Sequence, residues 1–209
     1  MRKVLNLIIS LLPLSYFLII VNSLKTTVPI HYNILGEPDA YGSKYSYLII
    51  CFLPLVIWIL SNILNKYIKE ENSKIFTKFM SVLIIILSLL CLLLLHQLKH
   101  NNLNLLSMII ILIGGLFIYL GNTLNKIQPN RYFGIRLPAT LKSSKVWKQI
   151  HYLGRYLFLS FGLSLIILSL LKITPKYILS YMIILLILIL IGLFIYSEKL
   201  LKKEKSKIK

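Results

Sequence analysis

The sequence predicts an all-α fold: a polytopic integral membrane protein with six transmembrane helices and both termini in the cytoplasm. Of its 209 residues, 57% are hydrophobic and only 14% are charged, which excludes an ordinary soluble domain and a disordered chain. Six apolar runs are long enough for a helix to cross about 30 Å of hydrocarbon. The runs are continuous and do not alternate as the strands of a membrane barrel do, so helices must satisfy the backbone in lipid.

The six apolar runs set the bounds of the predicted spans. The first span follows Arg2 and Lys3, as a cleavable signal peptide would. However, the next four residues, Asn-Ser-Leu-Lys, are a poor cleavage sequence, so we predict an anchor. In chain order, the predicted spans are residues 4–21, 47–64, 79–95, 103–120, 156–171 and 178–196.

Small and polar residues inside the spans predict how the helices pack. In the fourth span, Gly114 and Gly115 allow close approach of a neighbouring helix, together with Ser107, a small residue seven positions before Gly114. The polar residues are more typical of hydrogen bonds between helices than of a translocation path. They are Asn6, Ser10, Ser15, Asn62, Ser88, Ser107, Ser160, Ser164 and Ser169.

The distribution of positive charge predicts the orientation. The two tails and the connectors at residues 65–78 and 121–155 carry 19 of the 24 Lys and Arg residues, and the other three connectors carry 5. Cytoplasmic loops of membrane proteins carry an excess of Lys and Arg over the loops on the other side. We therefore expect both termini and residues 121–155 in the cytoplasm, and the loop at residues 23–46 outside. An odd number of spans would destroy this segregation.

The chain divides into two predicted helical units and a tail. Residues 1–70 form an N-terminal two-helix unit with a structured external loop at about 23–46. Residues 71–200 form a C-terminal four-helix unit with a cytoplasmic loop at about 121–155, and residues 201–209 form a basic cytoplasmic tail. The net charge is +18, in short blocks between apolar runs. This pattern favours anionic membrane lipids as partners and argues against direct binding of nucleic acid.

The positions of the ionisable residues argue against an ion-coupled transporter. All six carboxylates lie outside the predicted spans, and no lysine or arginine lies mid-membrane. Transporters and proton relays carry buried ionisable groups because the moving ion must be bound near the midplane. A small transporter or exporter nevertheless remains an alternative function.

The sequence has no catalytic motif, so we predict that the chain is not an enzyme and has no cofactor or metal. The four histidines lack HExxH spacing, and no nucleophile elbow or phosphate-cradling loop is present. His96 and His100 share a helical face, but without a third ligand they do not predict a metal site. Cys51 and Cys91 lie in apolar runs, where unpaired thiols are expected; a disulfide is the alternative if their spans are neighbours.

The external loop carries the recognition chemistry expected outside the membrane. Pro29 and Pro38 restrict the residues before them, and two glycines permit positive φ, so the segment predicts successive tight turns. Its two acids are the only external ones and would steer a cationic or amphipathic peptide. Tyr45 and Tyr47 are assigned to interfacial anchoring. The candidate ligand-binding residues are His31, Tyr32, Asn33, Gly36, Glu37, Asp39 and Lys44.

The cytoplasmic loop is the second unusual connector. Turn-forming residues precede Pro138, which predicts an extended entry, and Ser143 or Ser144 then predicts the N-cap of a helix that continues into the fifth span. Trp147 and His151 share a face of that helix. The candidates for partner contact or loop structure are Asn122, Pro129, Asn130, Gly134, Arg136, Pro138, Thr140, Trp147 and His151.

Three of these interpretations have alternatives. Arg136 offers five donors in a planar fork, which predicts a pin to helix-end carbonyls first and a grip on an acidic partner second. Trp147 is also explained as an interface anchor. The lysines at positions 142, 145 and 148 recur every third residue and face either headgroups or a partner.

Both loops resemble segments of a known family. The cytoplasmic loop resembles the signature of the SdpI family of bacterial membrane proteins, and the external loop is similar to the small uncharacterised domain that commonly precedes that signature. In the cytoplasmic loop the matching residues are Gly121-Asn122, Pro129-Asn130, Gly134-Ile135-Arg136, Pro138-Ala139-Thr140-Leu141, Val146-Trp147, His151 and Gly154. In the external loop they are Pro29, His31-Tyr32-Asn33, Gly36-Glu37-Pro38-Asp39 and Gly42-Ser43-Lys44.

The resemblance implies a function that composition does not give. Proteins of this family are immunity factors against a secreted killing peptide of the cannibalism-toxin type. In the signalling version, the toxin-bound receptor also holds a small cytosolic repressor at the membrane. The implied partners are a secreted peptide toxin outside and a cytosolic transcriptional repressor inside, at the bacterial cytoplasmic membrane. An accessory membrane subunit without toxin function is a further alternative.

Overall fold

The computed structural model describes residues 2–33, 35–100, 104–130 and 132–207. Within these residues the chain forms seven α-helices and one two-stranded sheet. The strands are β1 (Thr27–Tyr32) and β2 (Pro38–Ser43). The helices are α1 (Arg2–Ile20), α2 (Tyr47–Leu64), α3 (Glu70–His100), α4 (Leu105–Leu124), α5 (Pro138–Lys142), α6 (Ser144–Leu170) and α7 (Pro175–Ser206).

Six of these helices are long and apolar enough to cross a membrane, and α5 is not. The prediction of six spans in an all-α membrane fold is therefore confirmed. The predicted start of the fourth span, Leu103, lies outside the described residues, and α4 begins at Leu105. Helix α7 has 32 residues, or about 48 Å at 1.5 Å per residue, so its ends extend beyond the hydrocarbon layer.

The chain forms two compact units. The first comprises Met1–Tyr67 and Thr77–Leu112, and the second comprises Ile68–Phe76 and Ile113–Lys209. Helices α3 and α4 each contribute residues to both units because the unit boundaries fall within them.

A cluster of buried side chains from α1, β1, α2 and α3 holds the first unit together. Two interhelical hydrogen bonds join α1 to α3: Asn6 Nδ2 donates to Ser81 Oγ at 2.7 Å, and Ser88 Oγ donates to the Ile9 carbonyl at 3.1 Å. The predicted packing role of Asn6 and Ser88 is thus confirmed. The cluster contains Phe17, Ile20, Leu24, Val28, Tyr47, Cys51 and Leu95.

The two cysteines of the first unit are buried and unpaired, as expected. The Cys91 thiol donates a hydrogen bond to the Ile50 carbonyl, with an S–O distance of 3.3 Å. Cys51 belongs to the buried cluster. Both thiols therefore behave as small apolar groups among the packed helices.

In the second unit, α4 and α6 approach closely at glycines. A Cβ on Gly114 would lie 2.7 Å from the Gly162 carbonyl oxygen, and one on Gly121 would lie 2.8 Å from the Arg155 carbonyl oxygen. These distances are shorter than real Cβ contacts, so both positions require glycine. A Cβ on Gly115 would meet nothing within 4 Å. The predicted close approach is thus made by Gly114 and not by Gly115.

The segment before α6 differs from the prediction at one point. Leu137 is extended, with φ −92° and ψ 155°, but Pro138 is the first residue of the five-residue helix α5. The fixed φ of proline suits the first turn of a helix, where its missing N–H leaves no hydrogen bond unmade. Ser143 then caps α6 as predicted, because its Oγ accepts a hydrogen bond from the Val146 N–H at 3.2 Å.

Candidate functional site

The loop predicted to be external forms a β-hairpin, residues 27–43. Its strands pair antiparallel, with Tyr32 opposite Pro38 at the tip. Pairing is irregular between Pro29 and His31, which is expected because proline has no N–H to donate to a partner strand. The sequence predicted tight turns here but not paired strands.

The hairpin tip is built around the Asn33 side chain. Its Oδ1 accepts hydrogen bonds from the N–H groups of Leu35, at 2.9 Å, and Glu37, at 3.0 Å. Gly36 has φ +84° and donates its N–H to the Asn33 carbonyl at 2.9 Å. A side chain is disfavoured at this φ. Asn33 and Gly36 therefore form the turn, and the residues beside them carry the exposed functional groups.

Three contacts hold the hairpin against the first unit. Val28 is buried in the cluster, and the Tyr47 hydroxyl donates to the Pro29 carbonyl at 2.7 Å. Lys44 Nζ donates to the Val21 carbonyl, also at 2.7 Å, just after the end of α1. Tyr47 is thus a buried hairpin tether and not the predicted interfacial anchor, and the Lys44 ammonium group is engaged by the fold itself.

The exposed chemistry of the hairpin lies in its acids and rings. His31 Nδ1 and Asp39 Oδ1 are 2.5 Å apart, and their side chains are 68% and 44% exposed. Glu37 is exposed. Burial raises the pKa of the half-buried Tyr32 phenol, and nearby Tyr41 raises it further, so the phenol stays protonated. The hairpin therefore presents two carboxylates, a histidine and a phenolic donor.

A cavity of about 480 Å³ lies beside the hairpin tip. Its walls are mainly apolar, with a few polar groups, as is typical of ligand pockets of 300–1,000 Å³. Gly36 packs closely against Leu106, another residue of the cavity wall, since a Cβ on Gly36 would lie 3.1 Å from Leu106 Cδ1. The hairpin contributes Ile30, His31, Tyr32 and Leu35. Helices α3 and α4 contribute Leu94, Gln97, Leu105, Leu106 and Ile109, and Asn104 lies just before α4.

The loop predicted to be cytoplasmic folds around Trp147 and His151, and we call residues 126–151 the Trp147 motif. Both side chains are 1% exposed, and their rings stack with centroids 4.1 Å apart. Trp147 Nε1 donates to the Ile127 carbonyl at 2.9 Å. Trp147 is therefore a core residue of the second unit and not an interface anchor.

The hydrogen bonds of His151 define its protonation. Nε2 accepts the Ile135 backbone N–H at 3.0 Å, and Nδ1 lies 2.9 Å from the Trp147 carbonyl oxygen. An N–H can only donate and a carbonyl can only accept, so the ring is neutral with its proton on Nδ1. His151 thereby connects the loop before α5 to the first turns of α6.

Two glycines allow the backbone and side chains of the motif to pack closely around Trp147 and His151. Gly134 has φ +113°, and a Cβ there would lie 2.6 Å from His151 Nε2 and 3.1 Å from the Trp147 ring. A Cβ on Gly154 would clash with Ile135 Cδ1. Glycine is thus required at position 134 by both conformation and space. At position 154 a Cβ would force the end of the Ile135 side chain to shift.

Asn130 and Thr140 satisfy the backbone of the turns. Asn130 Oδ1 accepts the N–H groups of Tyr132 and Phe133 at 2.8 and 2.9 Å. Thr140 Oγ1 accepts the Leu137 N–H at 2.9 Å and lies 2.9 Å from the Ile135 carbonyl oxygen. Both predicted candidates therefore have a structural role in the motif.

Several predicted candidates remain on the surface. Asn122, Pro129, Arg136 and Pro138 have exposed side chains. Among the described residues, Arg136 has no recorded hydrogen bond or salt bridge, so the predicted pin to helix-end carbonyls is not observed. The Arg136 side chain is exposed, and its second predicted role, contact with an acidic partner, stays a prediction.

Asn72 is a site residue that the sequence did not indicate. Its side chain is buried at the start of α3 and makes two hydrogen bonds to Gln128: Nδ2 donates to the carbonyl at 3.2 Å, and Oδ1 accepts the N–H at 3.0 Å. Nothing in the local sequence distinguishes this asparagine from a solvent-exposed one. Within the described residues, no group of three or more His, Cys, Asp or Glu residues is placed to hold a metal ion.

Comparison with known proteins agrees with the resemblance seen in the sequence. Residues 126–197 match the SdpI/YfhL protein family, and residues 8–58 match a domain of unknown function, DUF1648. The first match contains the Trp147 motif and the second contains the hairpin. No curated protein and no solved structure matches the chain. The predicted resemblance is confirmed, and the chain is a multi-pass protein of the cell membrane.

Proposed function

We propose that this protein confers immunity against a secreted antimicrobial peptide, which it binds at the hairpin on the outer face of the membrane. The observation that carries the proposal is the pair of family matches, DUF1648 over the hairpin and SdpI/YfhL over the Trp147 motif. Capture at the membrane surface would lower the amount of peptide that is free to insert into lipid.

The geometry of the hairpin supports peptide binding. Glu37 and Asp39 are two of only six acids in a chain with a net charge of +18, so they are a local target for a cationic peptide. The adjacent cavity supplies apolar walls for a peptide side chain. An amphipathic peptide needs both the acids and the apolar walls, because its charged face and its apolar face must be bound at the same time.

The orientation is part of the proposal and has a direct test. The native cysteines are buried, which keeps background labelling low. An impermeant maleimide should label Tyr41→Cys, an exposed hairpin position, in intact cells, and should label Lys142→Cys only after the cells are opened. Labelling of both positions in intact cells would contradict the proposed topology.

The immunity test is a challenge of toxin-sensitive cells that express the protein. Wild-type chain should restore growth, and the double variant Glu37→Gln with Asp39→Asn should lose protection at equal abundance. The double variant Glu70→Gln with Glu198→Gln removes two acids that lie outside the hairpin, in α3 and α7. It is the charge-matched control and should protect fully. Unchanged killing of wild-type-expressing cells by every related peptide would refute the immunity function.

We propose further that the Trp147 motif holds a cytosolic repressor at the membrane when peptide is bound. Trp147, His151 and Thr140 are buried, so a partner must meet exposed groups such as Arg136 and Tyr132. Arg136→Ala should release a fluorescent repressor from the membrane without changing abundance, whereas Lys126→Ala, also exposed, should not. If Arg136→Ala leaves both abundance and signalling intact, Arg136 does not contact the repressor.

A further inference from the structure

A small basic cavity lies in the second unit, between the first turns of α6 and the last turns of α7. It has a volume of about 160 Å³. Lys145 lines it from α6, and Lys203 and Lys207 line it from the C-terminal end of α7. Its residues on α6 belong to the Trp147 motif, but Trp147 and His151 themselves do not line it. No residue of the hairpin lines it, and neither proposed role of the protein uses it.

A hydrogen bond joins the two helices that line the cavity. Ser143 Oγ accepts the Val146 N–H as the N-cap of α6 and also donates to the Glu204 carboxylate at 2.5 Å. This hydrogen bond joins the end of α7 to the start of α6. Val146 from α6 and Leu200 from α7 form the apolar part of the cavity lining.

The charge of the cavity is unbalanced. Three lysines and one carboxylate, Glu204, line it, and the carboxylate is already hydrogen-bonded to Ser143. Within the described part of the chain, none of these lysines forms a salt bridge with Glu204. Like charges gathered around a common space repel each other, and an anion in that space would relieve the repulsion.

The position along α7 places the cavity near lipid headgroups. The predicted sixth span ends at residue 196, so Leu200, Lys203 and Lys207 lie about 6, 10 and 16 Å beyond the hydrocarbon along the helix. Lys145 lies about 16 Å before the start of the predicted fifth span. The headgroup layer extends about 5–8 Å from the hydrocarbon edge. Lysine side chains reach several ångströms further towards the membrane. The end of the cavity at Leu200 and Lys203 is therefore the end within reach of a headgroup, and a lipid phosphate would enter from that side.

The size of the cavity indicates the class of ligand. At about 160 Å³ it is smaller than the 300–1,000 Å³ pockets that hold drug-sized molecules, and a peptide segment would not fit. A phosphate group carries one or two negative charges and several acceptor oxygens, which suit three lysine donors. The apolar side chains that line the cavity, Val146 and Leu200, suit the glycerol carbons that accompany a lipid phosphate.

We propose that this cavity binds the phosphate headgroup of an anionic phospholipid and thereby fixes the end of α7 to the start of α6. The site is defined by Lys145, Lys203 and Lys207, with Ser143 and Glu204 as its frame. Bound lipid screens the lysines and adds contacts across the two helices, so it should stabilise the folded protein.

The test uses the full chain in neutral detergent micelles, titrated with phosphatidylglycerol. Phosphatidylglycerol should raise the melting temperature of the protein and remain bound to it in native mass spectra, whereas phosphatidylcholine should do neither. Replacing Lys145, Lys203 and Lys207 together by Gln should weaken phosphatidylglycerol binding by about tenfold or more. The melting temperature without lipid checks that this variant is folded.

A matched triple variant separates the site from general attraction between a basic protein and anionic lipid. Lys148, Lys202 and Lys205 are exposed and do not line the cavity, and their replacement by Gln removes the same charge. This control should weaken binding by less than about threefold. Equal losses in the two triple variants would overturn the site, and an equal effect of inorganic phosphate alone would assign the cavity to free phosphate instead of lipid.

Discussion

Substitution of Gly134 by alanine tests whether the Trp147 motif is built as described. This residue has φ +113° and faces the buried pair of Trp147 and His151. The new methyl group would have to enter a space already filled by the two rings. Gly134 lies in the connector between α4 and α5, so the substitution changes no residue of a helix.

The magnitude has three parts. A non-glycine residue at this φ costs about 1–3 kcal/mol. The Cβ would lie 2.6 Å from His151 Nε2, so the ring must move away from the Ile135 N–H, and an unsatisfied buried donor costs about 1–3 kcal/mol. The lower entropy of the unfolded alanine chain returns up to about 1 kcal/mol. We expect a net loss of about 1–6 kcal/mol.

The assay is thermal unfolding of the purified protein in detergent, followed by tryptophan fluorescence, since Trp147 is at the centre of the motif. For a chain of this size, 1 kcal/mol corresponds to about 2–4 °C, so the expected fall in melting temperature is about 2–24 °C. Gly192→Ala is the control, because a Cβ at that position of α7 meets nothing within 4 Å, and it should be neutral or slightly stabilising. Equal melting temperatures for the two variants would refute the proposed packing.

Three further substitutions test other contacts, each by the same melting assay. Gly114→Ala should lower stability by about 1–3 kcal/mol because its Cβ would lie 2.7 Å from the Gly162 carbonyl, whereas Gly115→Ala should not; equal effects would contradict the close helix approach. Tyr47→Phe should cost about 1–3 kcal/mol by leaving a carbonyl of β1 without its donor, and hydrogen exchange should then increase in the hairpin. Thr140→Val should cost about 1–3 kcal/mol because the N–H before α5 loses its acceptor; no loss would mean that water replaces the hydroxyl.

The six long helices could be predicted from the sequence because their cause is local. Lipid requires a continuous apolar run of a given length, and the sequence displays that run directly. The hairpin could not be predicted in the same way. Both strands contain proline, β2 also contains Asp39 and Gly42, and neither alternates as a strand usually does. The strands form because Val28 and Tyr47 pack into the first unit, which is a tertiary cause.

The candidate site was predictable where the chemistry of a residue is confined to its own turn. Asn130 and Gly134 could be assigned to turns because a short amide side chain and a missing Cβ act on the neighbouring backbone. Trp147 could not be assigned in this way, because a tryptophan in a basic loop beside a span is equally typical of an interface anchor. Its burial depends on Ile127, twenty residues earlier.

The burial of the Trp147 motif determines which residues can decide the function. Trp147, His151 and Thr140 resemble the family signature, yet each is at most 2% exposed and hydrogen-bonded within the second unit. Their presence therefore specifies a loop conformation, which related proteins with different ligands can share. Discrimination between partners must come from groups that reach the surface, of which Arg136 is one. A Trp147 variant consequently reports on folding, whereas an Arg136 variant of normal abundance tests the proposed contact with a repressor.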